Sequence, residues 1–160
     1  MVAELRHEFR ASFIMTDAPM PITSVAELLA DVQSRPVWDG ASISPMNAGY
    51  PRVHLDWHEG NGFVLQCYKH EESSSDFLVV SHQFSTPSVE MELGGQTLER
   101  WPRELFVSAE RATQALNHFL NHGKQDPALE WIRIDGFPRE TLWEGREQRL
   151  AWEHANPRKR

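Results

Sequence analysis

His54 and Asp56 are the two residues of this sequence whose types and spacing best suit acid–base chemistry. They alternate with Val53, Leu55 and Trp57 in a segment where polar and apolar residues take turns. Side chains two positions apart on an extended strand lie on the same face, and an imidazole beside a carboxylate can transfer protons. One hypothesis is therefore a small enzyme with a His/carboxylate site that matches no familiar motif.

Two other kinds of chemistry are less well supported by the sequence. His118 and His122 have the i, i+4 spacing that two zinc ligands use on a helix, but no glutamate of a metalloprotease motif lies between them, and we expect both to face solvent. Cys67 follows Phe63 and Leu65 on one face of a predicted strand, which indicates a buried structural thiol. We therefore expect no metal, no cofactor and no catalytic residue.

Acidic residues occur in pairs, such as Glu90 with Glu92 and Asp56 with Glu59, and we expect them to be solvated in polar loops and on polar strand faces. A second interpretation is a negative binding surface, because carboxylates attract and orient the arginines and lysines of another protein. Loops held by rigid strands are suitable places for such a surface. The loops 56–62 and 71–76 supply the predicted partner-binding residues, which are Asp56, His58, Glu59, Glu71, Glu72 and Asp76.

The charge of the whole chain supports a protein partner. The 160 residues carry a formal net charge of -7, with the acids concentrated in residues 1–135 and a mildly basic ending at 136–160. An acidic body repels a phosphate backbone, so we do not expect direct binding of nucleic acid. It suits a partner whose own surface is basic.

Length and hydropathy predict one α+β domain at 1–135 and a C-terminal extension at 136–160, either a docked helix or a flexible arm. No apolar run reaches the roughly 18 residues that a membrane span needs, and the first residues lack the layout of a secretory signal. We therefore expect a cytoplasmic protein that does not associate with a membrane.

Two amphipathic helices are predicted from their capping residues and apolar spacing. Ser24 and Glu27 form a capping box ahead of apolar residues at helical spacing, and Pro36 ends that run. Ser108 is a good N-cap for the second helix, and Gly123 can adopt the left-handed conformation at its end.

Alternating apolar residues predict the strands. The turn at 59–62 joins segments 52–57 and 63–69 into a hairpin, since glycine and asparagine readily adopt positive φ. Further strands are expected at 8–13, 77–84, 89–93, 104–107 and 129–134. Together these segments predict a largely antiparallel sheet of about five to seven strands, packed against the two helices.

The order of these segments resembles a known family. The resemblance begins with the hairpin strand at 63–68, the polar loop and strand through 77–84, and the turn at 91–95. It continues with Pro102 to Val107, the helix at 108–120, Gly123, and the ending Leu129-Glu130-Trp131. In residues 50–134 the chain is similar to the first immunity-protein family of bacterial polymorphic toxin systems.

The resemblance implies an antitoxin that binds a cognate secreted toxin and occludes its active site. Members of that family are often paired with toxins of the nucleic-acid deaminase type, whose basic groove would complement the acidic body of this chain. The implied complex contains one copy of each protein, and no individual residue can be carried over because the toxin-facing residues vary. A structural adaptor or assembly subunit remains a third alternative beside the enzyme.

Overall fold

The computed structural model describes residues 8–15, 18–37, 39–71, 75–85, 89–92, 98–133 and 136. Their elements are β1 (Phe9–Phe13), β2 (Met20–Pro21), α1 (Val25–Gln33), β3 (Ala41–Pro45), β4 (Arg52–His58), β5 (Gly62–Tyr68), β6 (Asp76–Leu78), β7 (Val89–Glu92), β8 (Leu98–Trp101), α2 (Ala109–His122) and β9 (Trp131–Arg133). Within these residues seven strands form one antiparallel sheet in the order β2-β1-β3-β4-β5-β6-β9, and β7 pairs with β8 in a separate hairpin. With helices α1 and α2, this is the predicted α+β fold.

Both helices begin at the predicted caps. The Ser24 hydroxyl accepts a hydrogen bond from the Glu27 amide at 3.3 Å, and the Ser108 hydroxyl accepts one from the Arg111 amide at 3.2 Å. These bonds satisfy amides that lack an intrahelical partner in the first turn. α2 ends at Gly123, whose φ of 70° is left-handed as predicted.

The main core lies between the helices and one face of the sheet. Every second residue of the central strands points toward α1 and α2, and the apolar stripes of both helices close over them. The register places Ile43 beside Val53 and Val53 beside Cys67, so this face is apolar across three strands. The core includes Phe9, Ile43, Val53, Leu55, Phe63, Leu65, Cys67, Leu29, Leu116, Phe119 and Leu120.

A second, smaller core covers part of the opposite sheet face. Val64 and Phe77 project from this face and are buried under the β7–β8 hairpin and the segment that follows it. Trp101, at the end of β8, is 1% exposed, and its ring lies 5.4 Å from that of Phe77. The remainder of this face, on β1, β3 and β4, carries polar side chains.

Two predicted strands differ from the structure. The strand expected at 77–84 is limited to Asp76–Leu78, because the Val80 amide turns away to donate to the Glu104 carbonyl. Residues 103–105 form a short 3-10 helix instead of the strand expected at 104–107, and only Val107 bridges to Phe63.

Several elements were not predicted or cannot be compared. Strands β2, β3 and β8 were not predicted from the sequence. The predicted extension at 136–160 lies outside the described residues except for Gly136. Among the described residues, no helix has both the length and the apolar character that a membrane crossing requires.

Candidate functional site

His54 and Asp56 are in contact on the polar face of β4. The distance from His54 Nε2 to Asp56 Oδ2 is 3.3 Å. Asp56 is only 5% exposed, and a side chain at Gly40 would overlap its carboxylate. The expectation that Asp56 is a solvated surface acid is therefore wrong, since the close approach of the Gly40 backbone buries it.

The pair favours the charged form of the histidine. Burial alone would lower the pKa of His54, but the hydrogen bond and the negative charge of Asp56 outweigh burial and raise that pKa. The positive charge of Arg52 acts in the opposite direction and is weaker. The contact is therefore a charge-assisted hydrogen bond that strengthens as the imidazole is protonated.

The Asp56→Asn variant should make stability less dependent on pH. A raised histidine pKa stabilises the fold fully below the unfolded pKa of about 6.5, and this contribution is lost as pH rises through the folded pKa. We expect the free energy of unfolding of the variant to fall by up to about 1 kcal/mol more at pH 5.5 than at pH 8.5, the scale of a charge pair with one partly exposed member. Urea unfolding at both pH values measures this, and an equal loss at both would contradict it.

Cys67 is buried, as predicted. It is 2% exposed, and burial raises the pKa of its thiol to about 11, while a hydrogen bond from Gln125 acts in the opposite direction. The reactive form of cysteine is the thiolate. At neutral pH the thiol is therefore protonated and enclosed by the main core.

The two histidines of α2 have different environments. His122 is exposed as expected, but His118 is half-buried, so the prediction of a solvent-facing side chain is wrong for it. Its Nδ1 lies 3.9 Å from Asp126 Oδ1, because the loop after α2 folds back over the helix. The described residues contain no group of three or more histidine, cysteine or acidic side chains that could hold a metal ion.

The predicted partner-binding loops lie at opposite ends of β5. One loop precedes Gly62 and the other follows Tyr68, and a seven-residue strand spans about 20 Å. Glu59 and Glu71 are exposed, but they belong to different surfaces. The structure therefore places the two predicted loops at opposite ends of the strand and not side by side.

The other predicted residues of these loops have mixed environments. His58 is half-buried, with its ring 5.7 Å from that of Phe106. Asp76 is also half-buried, and its Oδ2 accepts a hydrogen bond of 2.7 Å from Gln125. Glu72 lies outside the described residues.

Two exposed apolar side chains share the end of the sheet where Glu59 lies. Ile14 and Met15 follow β1 and are 64% and 68% exposed. The register pairs Phe13 with Ala41 on β3, and Ala41 with Leu55 on β4. The turn after β1 is therefore about 10 Å, or two strand spacings, from the chain that leads to Glu59.

The backbone that presents Ile14 and Met15 is anchored. The Met15 amide donates a hydrogen bond of 3.1 Å to Asp39, a carboxylate that is only 3% exposed. Arg35 donates to the same carboxylate at 3.0 Å, and its guanidinium lies 3.7 Å from the centre of the Phe13 ring. The apolar pair is thus exposed on a turn that side chains from the α1–β3 connection hold in place.

The acidic turn and the start of α2 complete this surface. Nδ1 of His58 lies 2.9 Å from Nδ2 of Asn61 and 3.0 Å from the carbonyl oxygen of Glu59, so the His58 ring contacts both sides of the turn that carries Glu59. The bridge between Phe63 and Val107 places the exposed Glu110, in the first turn of α2, at the same end of the sheet. This surface lies at the turn of the β4–β5 hairpin. We refer to the surface of Ile14, Met15, Glu59 and Glu110 as the hairpin end.

Ile14 and Met15, the apolar part of the hairpin end, were not predicted as interface residues from the sequence. The only local signal is that two large apolar residues stand side by side just after an alternating segment, which breaks the expected alternation. Arg35 and Asp39 also have i, i+4 spacing, but they lie across the end of α1, where a helical pair cannot be assumed.

No protein-family model matches this chain, and comparison with curated proteins gives no sequence match.

Proposed function

We propose that this chain is an immunity protein, an antitoxin that acts in the cytoplasm by binding a cognate toxin domain and occluding its active site. The observation that carries the proposal is the hairpin end, where an exposed apolar pair on an anchored backbone lies at the same end of the sheet as the acids Glu59 and Glu110. The resemblance supports the same function, with a nucleic-acid deaminase-type toxin as the partner.

A few residues usually supply most of the binding affinity of a protein interface. Large apolar side chains near its centre supply much of the affinity, while surrounding charges speed association and set orientation. At the hairpin end Ile14 and Met15 can enter a pocket of the partner, and Glu59 and Glu110 can face basic residues. A toxin groove that attracts phosphate carries such basic residues.

The anchored backbone favours tight binding. A surface that is already ordered loses less conformational entropy when it binds than a mobile loop does. The Asp39 carboxylate holds the Met15 amide, and the turn of Glu59 is closed by the side chains of His58 and Asn61. Both halves of the hairpin end are therefore preorganised.

Co-expression tests the function directly. The full chain is expressed together with the toxin domain encoded by the neighbouring gene, and cell survival and co-purification are measured. We expect survival and a complex with one copy of each protein. Death of the cells despite expression of the folded chain would overturn the proposal.

The enzyme hypothesis is favoured by one observation, the 3.3 Å contact between His54 and Asp56. The Asp56→Asn variant separates the two functions because it removes the carboxylate of this pair and leaves the four exposed residues of the hairpin end unchanged. If the chain is an immunity protein, folded Asp56→Asn should still protect cells. Turnover of a small molecule that this variant abolishes would instead support an enzyme.

Reversing one charge should slow association with the toxin. We expect Glu59→Lys to reduce the association rate constant about 3- to 10-fold at low salt, because the acid attracts a basic partner, with a smaller effect at 0.5 M salt, where screening is strong. The matched control is Glu71→Lys, which makes the same charge change at the other end of β5. The association rate constants are measured by surface binding kinetics. Equal slowing of association by both variants would contradict the prediction.

A further inference from the structure

The polar part of the sheet face that lies opposite the helices carries two arginines. Arg10 lies on β1 and is paired in register with Ser44 on β3. Arg52 lies on β4, the other neighbour of β3, on the same face. Ser42 lies two residues before Ser44 and is paired with His54. The two arginines therefore lie on either side of a row of serine hydroxyls.

Neither arginine forms an ion pair with a described carboxylate. Arg10 Nε is 3.5 Å from the Ser44 hydroxyl. Arg52 Nε donates to the Gly49 carbonyl at 3.2 Å, and its guanidinium lies 4.7 Å from the centre of the Tyr50 ring. Both side chains are half-buried, and most of their N–H donors are left for another acceptor.

The local charge is opposite to that of the whole protein. Asp56 is the buried acid of this face, and it is in contact with His54. Glu8 lies two residues before Arg10 but is exposed to solvent, and neither Arg10 nor Arg52 is ion-paired with a carboxylate of the described residues. Charged groups that are partly withdrawn from water are normally paired, so this arrangement favours an anion from outside the chain.

We infer that Arg10 and Arg52, together with the hydroxyls of Ser42 and Ser44, form a binding site for a tetrahedral oxyanion, the phosphate group of a small phosphate ester. The guanidinium fork donates two parallel hydrogen bonds to such a group. The donors lie on three neighbouring strands. Such a distribution suits the three or four acceptor oxygens of phosphate better than the two coplanar oxygens of a carboxylate. The site is independent of the hairpin end and of the proposed toxin.

The test is a titration of the full chain, without any toxin, with inorganic phosphate, phosphoserine or acetate at constant ionic strength. Arginine Nε–Hε resonances in NMR spectra report binding at individual side chains. We expect saturable shifts of Arg10 and Arg52 with a Kd on the order of 1 mM for phosphate and phosphoserine, and at least about tenfold weaker binding of acetate.

Arg10→Gln and Arg52→Gln should each weaken phosphate binding at least about fivefold, the effect of losing one charged fork. Arg103→Gln is the matched control, because it removes one positive charge from an exposed position in the 3-10 helix. Arg52→Lys, which keeps the charge and loses the fork, should bind more weakly than wild type. The inference would be overturned if all three glutamine variants had equal effects. It would also be overturned if acetate bound as strongly as phosphate, or if 50 mM phosphate gave no saturation.

Discussion

Replacing both Ile14 and Met15 with aspartate is expected to weaken the toxin complex by at least about 100-fold and to abolish protection of cells. Full burial of one such side chain contributes about 1.5 to 3 kcal/mol, and an unpaired carboxylate at the same place adds a desolvation penalty. Together these effects exceed the roughly 2.7 kcal/mol that a 100-fold change in Kd represents. Calorimetric titration with the toxin domain and a survival assay measure the two consequences.

The variant should remain folded because both side chains already face solvent. Met15 is held through its backbone amide, which aspartate also provides. The matched control is Met46→Asp, at an exposed methionine after β3, at the opposite end of the sheet. If the double variant melts like wild type and still binds with unchanged affinity, the hairpin end is not the interface.

Gly62→Ala is expected to reduce the free energy of unfolding by about 3 kcal/mol or more, which combines backbone strain with an overpacked contact. Gly62 has a φ of 132°, which side chains rarely adopt, and an added Cβ would overlap the carbonyl oxygen of Val107. Gly60→Ala is the control in the same turn: its φ is 82°, but no atom lies within 4 Å of the added Cβ. Gly60→Ala should reduce the free energy of unfolding by about 1 to 2 kcal/mol.

Urea unfolding of the two glycine variants measures this difference. The larger loss at Gly62 would show that the sheet and the segment leading into α2 need a close backbone approach at this point, where Phe63 and Val107 exchange hydrogen bonds of 2.9 and 2.8 Å. If the two variants were equally stable, only the local conformation of the turn would matter, and the approach of Val107 would contribute little.

Local patterns in the sequence determined the helices and the central hairpin. A cap such as Ser24 or Ser108 acts on amides within the next turn, and apolar spacing defines the face of one helix or strand. The turn at 59–62 likewise fixes the pairing of its two neighbours, β4 and β5. These features depend on residues a few positions apart, so the sequence alone predicts them.

Tertiary structure alone decided which of these segments meet. The β3 strand is defined by its pairing with β1 and β4, and β8 by its pairing with β7 and the burial of Trp101. Asp56 is buried because the backbone of Gly40, the residue just before β3, approaches it.

Strand order and direction also decided which residues share the candidate interface. The sequence identified Glu59 as an exposed loop acid, but the direction of β5 separates it from Glu71 and the sheet order brings it close to Ile14 and Met15. Strand order and direction depend on pairing between distant residues, and alternation within one strand carries no information about its neighbours.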